Sequence, residues 1–290
     1  MFSLTKVLVP VDFSGRTPGV ARYVRALARS FELELDLLHV VPLPDNAIET
    51  LQAGIPSIRD VFTEREKKMR EKLETVLQGD LPGIPVRREV LQGEPARRIS
   101  EYAHDRHTDL IVMPTHGYGP FRRFMLGSVT AKVLHDVECP VWTGVHLEEA
   151  PPPEEIEFRT VMAAVDLGWE SAKALDWAAG FAERTGARLL LIHALPDLEG
   201  RSGDYFDPDW RQRIERDALE EIASLQKSVG TSAEVIARSG DAPKVVCGLA
   251  EERKADLLVI GRGSVAGVFG RLRANAYAII RQSPCPVVSV

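Results

Sequence analysis

The stretch Asp109-Leu110-Ile111-Val112-Met113-Pro114-Thr115-His116-Gly117, nine further residues, Gly127-Ser128, and then Cys139-Pro140-Val141 decides the fold, because the chain writes it twice. The second copy reads Asp256-Leu257-Leu258-Val259-Ile260-Gly261-Arg262-Gly263-Ser264 and closes on Cys285-Pro286-Val287. The aspartates lie 147 residues apart and the Cys-Pro-Val tripeptides 146. In a chain of 290 residues that period reads as a duplicated domain, each copy long enough to bury its own core. The copies part company at one place: Arg273-Ala274 stands where the first has Gly127-Ser128. A small-molecule site is therefore expected in the first half, with the second half mainly structural.

Outward from these marks, strand and helix signals alternate. Residues 6–11 are an apolar, β-branched run that stops at Asp12 and Ser14. Val20, Tyr23, Val24, Leu27, Ala28 and Phe31 follow at helical spacing. Residues 33–41 read as a strand, 57–77 as a charged helix and 86–91 as a strand, and Gly93-Glu94-Pro95 opens a helix with proline in its first turn. Residues 110–113 form a short apolar strand of the kind found at a sheet centre, 128–136 a helix and 140–145 a last strand. The second half repeats the order with strands at 161–165, 188–194 and 233–238, helices at 171–185 and 209–229, and Gly240-Asp241-Ala242-Pro243 as the echo of Gly93-Glu94-Pro95. Such alternation implies a parallel sheet with helices on both faces. The expected fold class is α/β, two tandem Rossmann-like domains, each an open five-stranded parallel sheet. The domains are set at 1–146 and 158–290, joined by a Pro/Glu-rich linker at 147–157 whose Pro151-Pro152-Pro153-Glu154-Glu155 reads as a stiff, extended, solvated spacer.

Composition removes several classes of function. A net charge of −6 argues against a general nucleic-acid or anionic-membrane surface. No apolar run approaches the roughly 20 residues needed to span a bilayer. Residues 6–12 read as a strand rather than a secretory leader. Three cysteines, two of them at equivalent positions of the repeat, form no disulfide framework, and a reducing cytoplasm is expected. Cys139, Cys247 and Cys285 are read as packing residues, and His39 and His193, at matching places in their strands, as shared packing rather than metal ligands. His104 and His107 have no carboxylate or cysteine pair at ligand spacing.

Ligands of open parallel sheets sit beyond the carboxyl ends of the strands. Asp12, Val40 and the segment from Met113 and Thr115 to Gly117 all end strands of the first half and should converge there. Gly127-Ser128 opens a helix, where free N–H groups and the helix dipole favour phosphate. The Ser128 hydroxyl has two readings, a helix cap or a donor to a phosphate oxygen, and spacing does not choose between them. Asp12 likewise reads as a cap or a ligand contact. No Gly-rich loop with Lys-Ser/Thr of the large NTPase class is present.

Taken together, Val9-Pro10-Val11-Asp12-Phe13-Ser14, Thr115-His116-Gly117, Gly127-Ser128-Val129 and Cys139-Pro140-Val141 resemble the ATP-binding universal stress proteins, over nearly the whole chain outside the linker. The resemblance implies an adenine nucleotide alpha hydrolase-like fold and a ligand that is ATP, with or without Mg. It implies that the amides and hydroxyl of Gly117, Gly127 and Ser128 hold phosphates, with Val129 in the same implied site, that Asp12 contacts the adenosine moiety, and that Val40 meets adenine through its main chain. Met113 and Thr115 belong to the same implied site. The family's loop begins with a glycine where this chain has Pro114, which removes one amide. In the second half Ser264 and Arg273-Ala274 replace the second glycine and the Gly-Ser pair, leaving a basic loop in which a Cβ at 274 would crowd a phosphate. Domains of this family pair through their last strands, so residues 141–145 and 287–290 would make one chain a pseudo-dimer, and a homodimer stays open.

With no carboxylate pair, no Walker lysine and no water-activating base beside the implied phosphates, slow or absent hydrolysis is expected. Two other readings stand beside ATP binding. One is a nucleotide-free partner-binding module, which Pro114 favours. The other is an adenylating enzyme, for which Phe13-Ser14-Gly15-Arg16 offers a single glycine where those enzymes show a Ser-Gly-Gly-type loop.

Overall fold

Val7, Leu8 and Val9 are at most 1% exposed, and the apolar run that carries them forms β1 (Lys6–Pro10) at the middle of the first sheet. In a computed structural model, residues 2–43, 56–115, 126–144, 147, 150–168, 170–196, 208–262 and 270–290 are described. They fall into two units, 3–156 and 157–290, with residue 2 grouped with the second. The first unit continues with α1 (Thr17–Leu27), β2 (Glu34–Val41), α2 (Pro56–Thr75), β3 (Val86–Gln92), α3 (Pro95–Asp105), β4 (Leu110–Val112), α4 (Ser128–Asp136) and β5 (Val141–Thr143). Its strand order is β3-β2-β1-β4-β5, with every pair parallel. The chain steps outward from β1 to β3, then returns across β1 to β4. That reversal opens a crevice at the carboxyl ends of β1 and β4.

The second unit repeats the plan with β6 (Thr160–Ala164), α5 (Ser171–Thr185), β7 (Arg188–Leu195), α6 (Pro208–Val229), β8 (Glu234–Ser239), α7 (Ala242–Glu252), β9 (Leu257–Ile260), α8 (Gly270–Gln282) and β10 (Val287–Ser289). Its order is β8-β7-β6-β9-β10, again all parallel. The two five-stranded α/β domains expected from the alternating pattern are present. No helix among the described residues is long and apolar enough to cross a membrane.

The repeated aspartates have a structural role. One carboxylate oxygen of Asp109 accepts the backbone N–H groups of Thr5 (2.9 Å) and Lys6 (2.8 Å), and Asp256 takes those of Arg159 and Thr160, both at 2.8 Å. Each carboxylate thus ties the start of one central strand to the approach of its neighbour, at the edge opposite the crevice. The helix openings Gly93-Glu94-Pro95 and Gly240-Asp241-Ala242-Pro243 repeat the same cap, with the proline one residue later in the second. Glu94 caps α3 through the N–H of Arg97 at 2.8 Å, and Asp241 caps α7 through that of Lys244. Gly93 and Gly240 precede them at φ +141° and +145°, a region that L side chains rarely enter. Burial pushes the Cys247 thiol up to about 11 and the Cys285 thiol up to about 12, as suits packing residues.

Pro151, Pro152, Glu154 and Glu155 are exposed, as a solvated spacer requires, but the segment is not extended throughout and its flanks are buried. Leu147, Ala150 and Ile156 are at most 5% exposed, and a 3₁₀ turn runs over Pro153–Glu155. Three arginines on α1 and just beyond it hold the segment: Arg22 donates to the Ala150 carbonyl, Arg29 to those of Glu154 and Ile156, and Arg25 pairs with Glu154. Proline stiffness and buried apolar side chains act together here, so the segment packs as part of the first unit. Replacing Arg22 and Arg29 together by alanine is expected to speed proteolytic cleavage within residues 150–156 several-fold. An unchanged digestion rate in limited proteolysis would show that burial of Leu147 and Ile156 alone retains the segment.

Candidate functional site

Asp12, at the end of β1, builds the first wall of the crevice. Its Oδ1 accepts the Ser14 N–H at 2.9 Å, forming a tight turn that places Phe13 at φ +59°. The second unit repeats this at Asp166, whose Oδ1 takes the Gly168 N–H at 2.9 Å with Leu167 at φ +63°. The positive φ therefore belongs to the turn, which the sheet above and the helix below hold in place. Asp12 is exposed, and its second carboxylate oxygen accepts no hydrogen bond among the described residues. It caps the turn with one oxygen and lines the cavity of the crevice. In the second unit Asp166 is more fully used, because its Oδ1 also accepts the Ser171 hydroxyl at 2.8 Å.

The opposite wall is the start of α4. Gly127 is the N-cap, with no side-chain cap, and its own N–H donates to the Thr115 carbonyl at 2.8 Å. Its carbonyl accepts from Ala131 at 2.8 Å, and the amides of Ser128, Val129 and Thr130 in the first turn have no hydrogen-bond partner among the described residues. Ser128 is exposed, and its hydroxyl makes no hydrogen bond among the described residues. Of the two readings of that hydroxyl, the helix cap is thus not realised. Thr130 anchors the turn by donating from Oγ1 to the Pro114 carbonyl at 3.1 Å. Pro114 lacks an N–H to offer a ligand, yet its carbonyl fixes the helix start.

Between these walls lies a cavity of about 550 Å³. Asp12, Val40, Met113, Gly127, Ser128 and Val129 all line it. Thr115 sits behind the wall, 2% exposed, and positions Gly127 through its carbonyl. Gly117, His116, Arg122 and Arg123 lie outside the described residues. Sequence reading passed over several lining residues, among them His39, Arg65, Pro95 and Ile99. The volume falls in the range of small-molecule pockets.

His39 is the most informative of these. Its Nδ1 lies 2.7 Å from the Val11 carbonyl, and His193 repeats the bond to Val165 at 2.8 Å, so the shared packing read from the sequence is one hydrogen bond made twice. A carbonyl only accepts, so Nδ1 carries the proton. Phe13 packs against the His39 ring at 4.5 Å between centroids, and the Lys72 ammonium lies 4.3 Å over the Phe13 ring. Burial, first of all, holds His39 below the ordinary histidine pKa of 6.5; Lys72 and Arg65 push the same way, and the Val11 carbonyl and Asp12 oppose them. With the folded value depressed, the unfolded chain binds the proton more readily. The stabilisation is fully present above pH 6.5 and is lost as pH falls below it, towards the folded value. The unfolding free energy should accordingly fall between pH 7 and pH 5 by more in the native protein than in His39→Gln. Parallel slopes in chemical denaturation would refute this.

The second unit departs from the first in backbone as well as in sequence. α8 begins at Gly270, so residues 273 and 274 lie inside a helix rather than at its start. The side chain at 274, where crowding is expected, lies outside the described residues. Glu170, at the N-cap of α5, also closes over Gly261, where an added Cβ would lie 3.5 Å from the Glu170 Cβ. One Glu170 carboxylate oxygen is buried without a hydrogen-bond partner among the described residues. A carboxylate there disfavours an anionic ligand. Sequence reading missed it because the position is unremarkable on its own; the corresponding cap of α1 is Arg16.

A doubly wound parallel domain, with an uncapped helix start and a strand-end carboxylate facing one cleft, defines a class of anion- and nucleotide-sized ligand sites. The universal stress protein family model matches residues 3–143 and again 157–290, and the chain belongs to that family as a tandem member. A universal stress protein of Mycolicibacterium smegmatis is 24% identical over 98% of this chain and 96% of its own length. The crystal structure of a universal stress protein from Archaeoglobus fulgidus covers 99% of this chain and 96% of its own, at 22% identity and a TM-score of 0.68. A universal stress protein solved in complex with cAMP covers 46% of this chain and 96% of its own, at 26% identity and a TM-score of 0.34.

Proposed function

We propose that the first domain binds ATP or a related adenine nucleotide as a ligand, with slow or no hydrolysis, and that the second domain binds none. The observation that carries this reading is the start of α4. Three amides and a Ser128 hydroxyl with no hydrogen-bond partner among the described residues face the same cavity as an Asp12 oxygen that likewise accepts none there. Amides at a helix start suit phosphate oxygens, and a carboxylate oxygen suits the hydroxyls of a ribose or the amino group of a base. The apolar lining from Val40, Met113 and Ile99 suits a flat base between them. Asp12 stands at the strand end away from α4, so it does not serve as a base for water attack on a terminal phosphate. A reducing cytoplasm suits a chain whose buried thiols are packing groups.

Calorimetric titration of the intact protein with ATP, AMP and cAMP, beside a Gly127→Ala/Ser128→Ala variant, tests the reading. A stoichiometry near one that the variant abolishes is the expected result. Two sites would mean that the second domain also binds, despite Glu170. No binding at millimolar nucleotide would favour the partner-binding reading, and release of pyrophosphate with an added acid substrate the adenylating one.

A further inference from the structure

The cavity contains a charged group that phosphate binding does not use. Arg65, on α2, lines it, and its guanidinium takes part in no ion pair or hydrogen bond among the described residues. α2 packs on β2 and β3, and the charge of Arg65 is felt by His39 near the end of β2. The first-turn amides of α4 lie on the far side of β1, beyond β4. Two strand spacings, about 10 Å, separate β2 from β4, a distance that a nucleotide can bridge from base to phosphate. Besides His39, the β2 end is lined by the apolar Leu38, Val40 and Pro42. A guanidinium is planar, weakly hydrated and suited to lie against an aromatic face, and an unpaired one beside apolar walls is well placed to do so.

We infer that Arg65 is a base-binding contact at the β2 end of the cavity, laying its guanidinium against the base of a bound nucleotide; the inference rests on the nucleotide reading above. The contact holds the base in the mouth of the cleft, where Arg65 is exposed and the apolar side chains cover only its inner face. It adds affinity for any nucleotide with a flat base, irrespective of the number of phosphates. That independence from phosphate separates it from electrostatic attraction.

The full-length protein, Arg65→Ala and Arg65→Lys are titrated with ATP, and with adenosine by competition against ATP. The expected result is an equal loss of roughly fivefold for both ligands in Arg65→Ala, with little recovery in Arg65→Lys. A loss confined to ATP, or full recovery by lysine, would reassign Arg65 to the phosphates and overturn the inference. Unchanged ATP affinity in Arg65→Ala would overturn it while leaving the nucleotide reading intact, whereas a native protein that binds no nucleotide would remove both. As a second measurement, the Arg65 Nε–H resonance should move upfield when ATP binds, through the ring current of the base. A resonance that stays in place overturns the stacking geometry even if affinity changes.

Discussion

Ser128→Pro is expected to weaken ATP binding about 100-fold while leaving the fold intact. Proline is well tolerated as the first residue of a helix, where its fixed φ matches and its missing N–H has no helical partner to lose. The preceding residue, Gly127, sits at φ −63° and ψ 147°, the extended conformation that a following proline requires. The substitution therefore removes two donors, the amide and the hydroxyl, without unwinding α4. Hydrogen bonds to charged groups contribute about 1.5–3 kcal/mol each, and Ser128 is exposed, so the low end applies to both. Two such losses correspond to roughly 100-fold in the dissociation constant. Ser128→Ala should lose only the hydroxyl share, about tenfold. Calorimetry and thermal unfolding on the same samples check both halves of the expectation. Full ATP affinity in Ser128→Pro, with an unchanged melting temperature, would remove the start of α4 from the site.

Asp109→Ala should do the reverse. Its carboxylate holds two backbone N–H groups, at 2.9 and 2.8 Å, where β1 begins, at the edge of the sheet opposite the cavity. Truncation leaves both amides without their acceptor, at a cost of about 3 kcal/mol for two charge-assisted bonds. For a unit of this size that is a fall of roughly 10 °C in the unfolding of the first domain. Asp109→Asn keeps an acceptor oxygen and should recover about half. ATP affinity, measured below the melting range, should stay within a factor of two or so of the native value, since no part of the clamp touches the cavity. Asp256→Ala should destabilise the second domain by a similar amount, because Arg159 and Thr160 are held at the same 2.8 Å. A neutral effect of both substitutions would mean that sheet pairing alone sets the strand starts. Run together, Ser128→Pro and Asp109→Ala separate binding from stability within one domain.

How legible the molecule was depends on which residues are asked about. Asp109 and Asp256 were visible as marks of the repeat, but their purpose was not, since a clamp to Thr5 joins positions 104 apart in the chain. Ser128 was visible as the start of a helix, and the choice between cap and free hydroxyl needed the conformation of Gly127. The prolines at 151–153 pointed to an extended spacer; they are followed by a 3₁₀ turn, with Leu147, Ala150 and Ile156 buried on either side, because Arg22 and Arg29 of the first domain supply donors for the carbonyls of Ala150, Glu154 and Ile156. Arg65 carried no signal at all. It is one of many charges on an amphipathic helix, and only the packing of α2 against β2 brings it to the cavity.

By itself, the sequence determined the duplication, the alternation of strand and helix and the parallel sheets. Those features are local: side-chain periods of two and 3.6, and glycine, proline and cap residues at fixed offsets, act within a few residues of where they are written. Tertiary structure alone decided which strand ends become neighbours. The order β3-β2-β1-β4-β5 carries His39 and Arg65 to the same cavity as Asp12 and Ser128, and the start of α5 sets Glu170 over Gly261. Such convergence follows from sheet order and side-chain packing between segments far apart in the chain, and no local pattern encodes it.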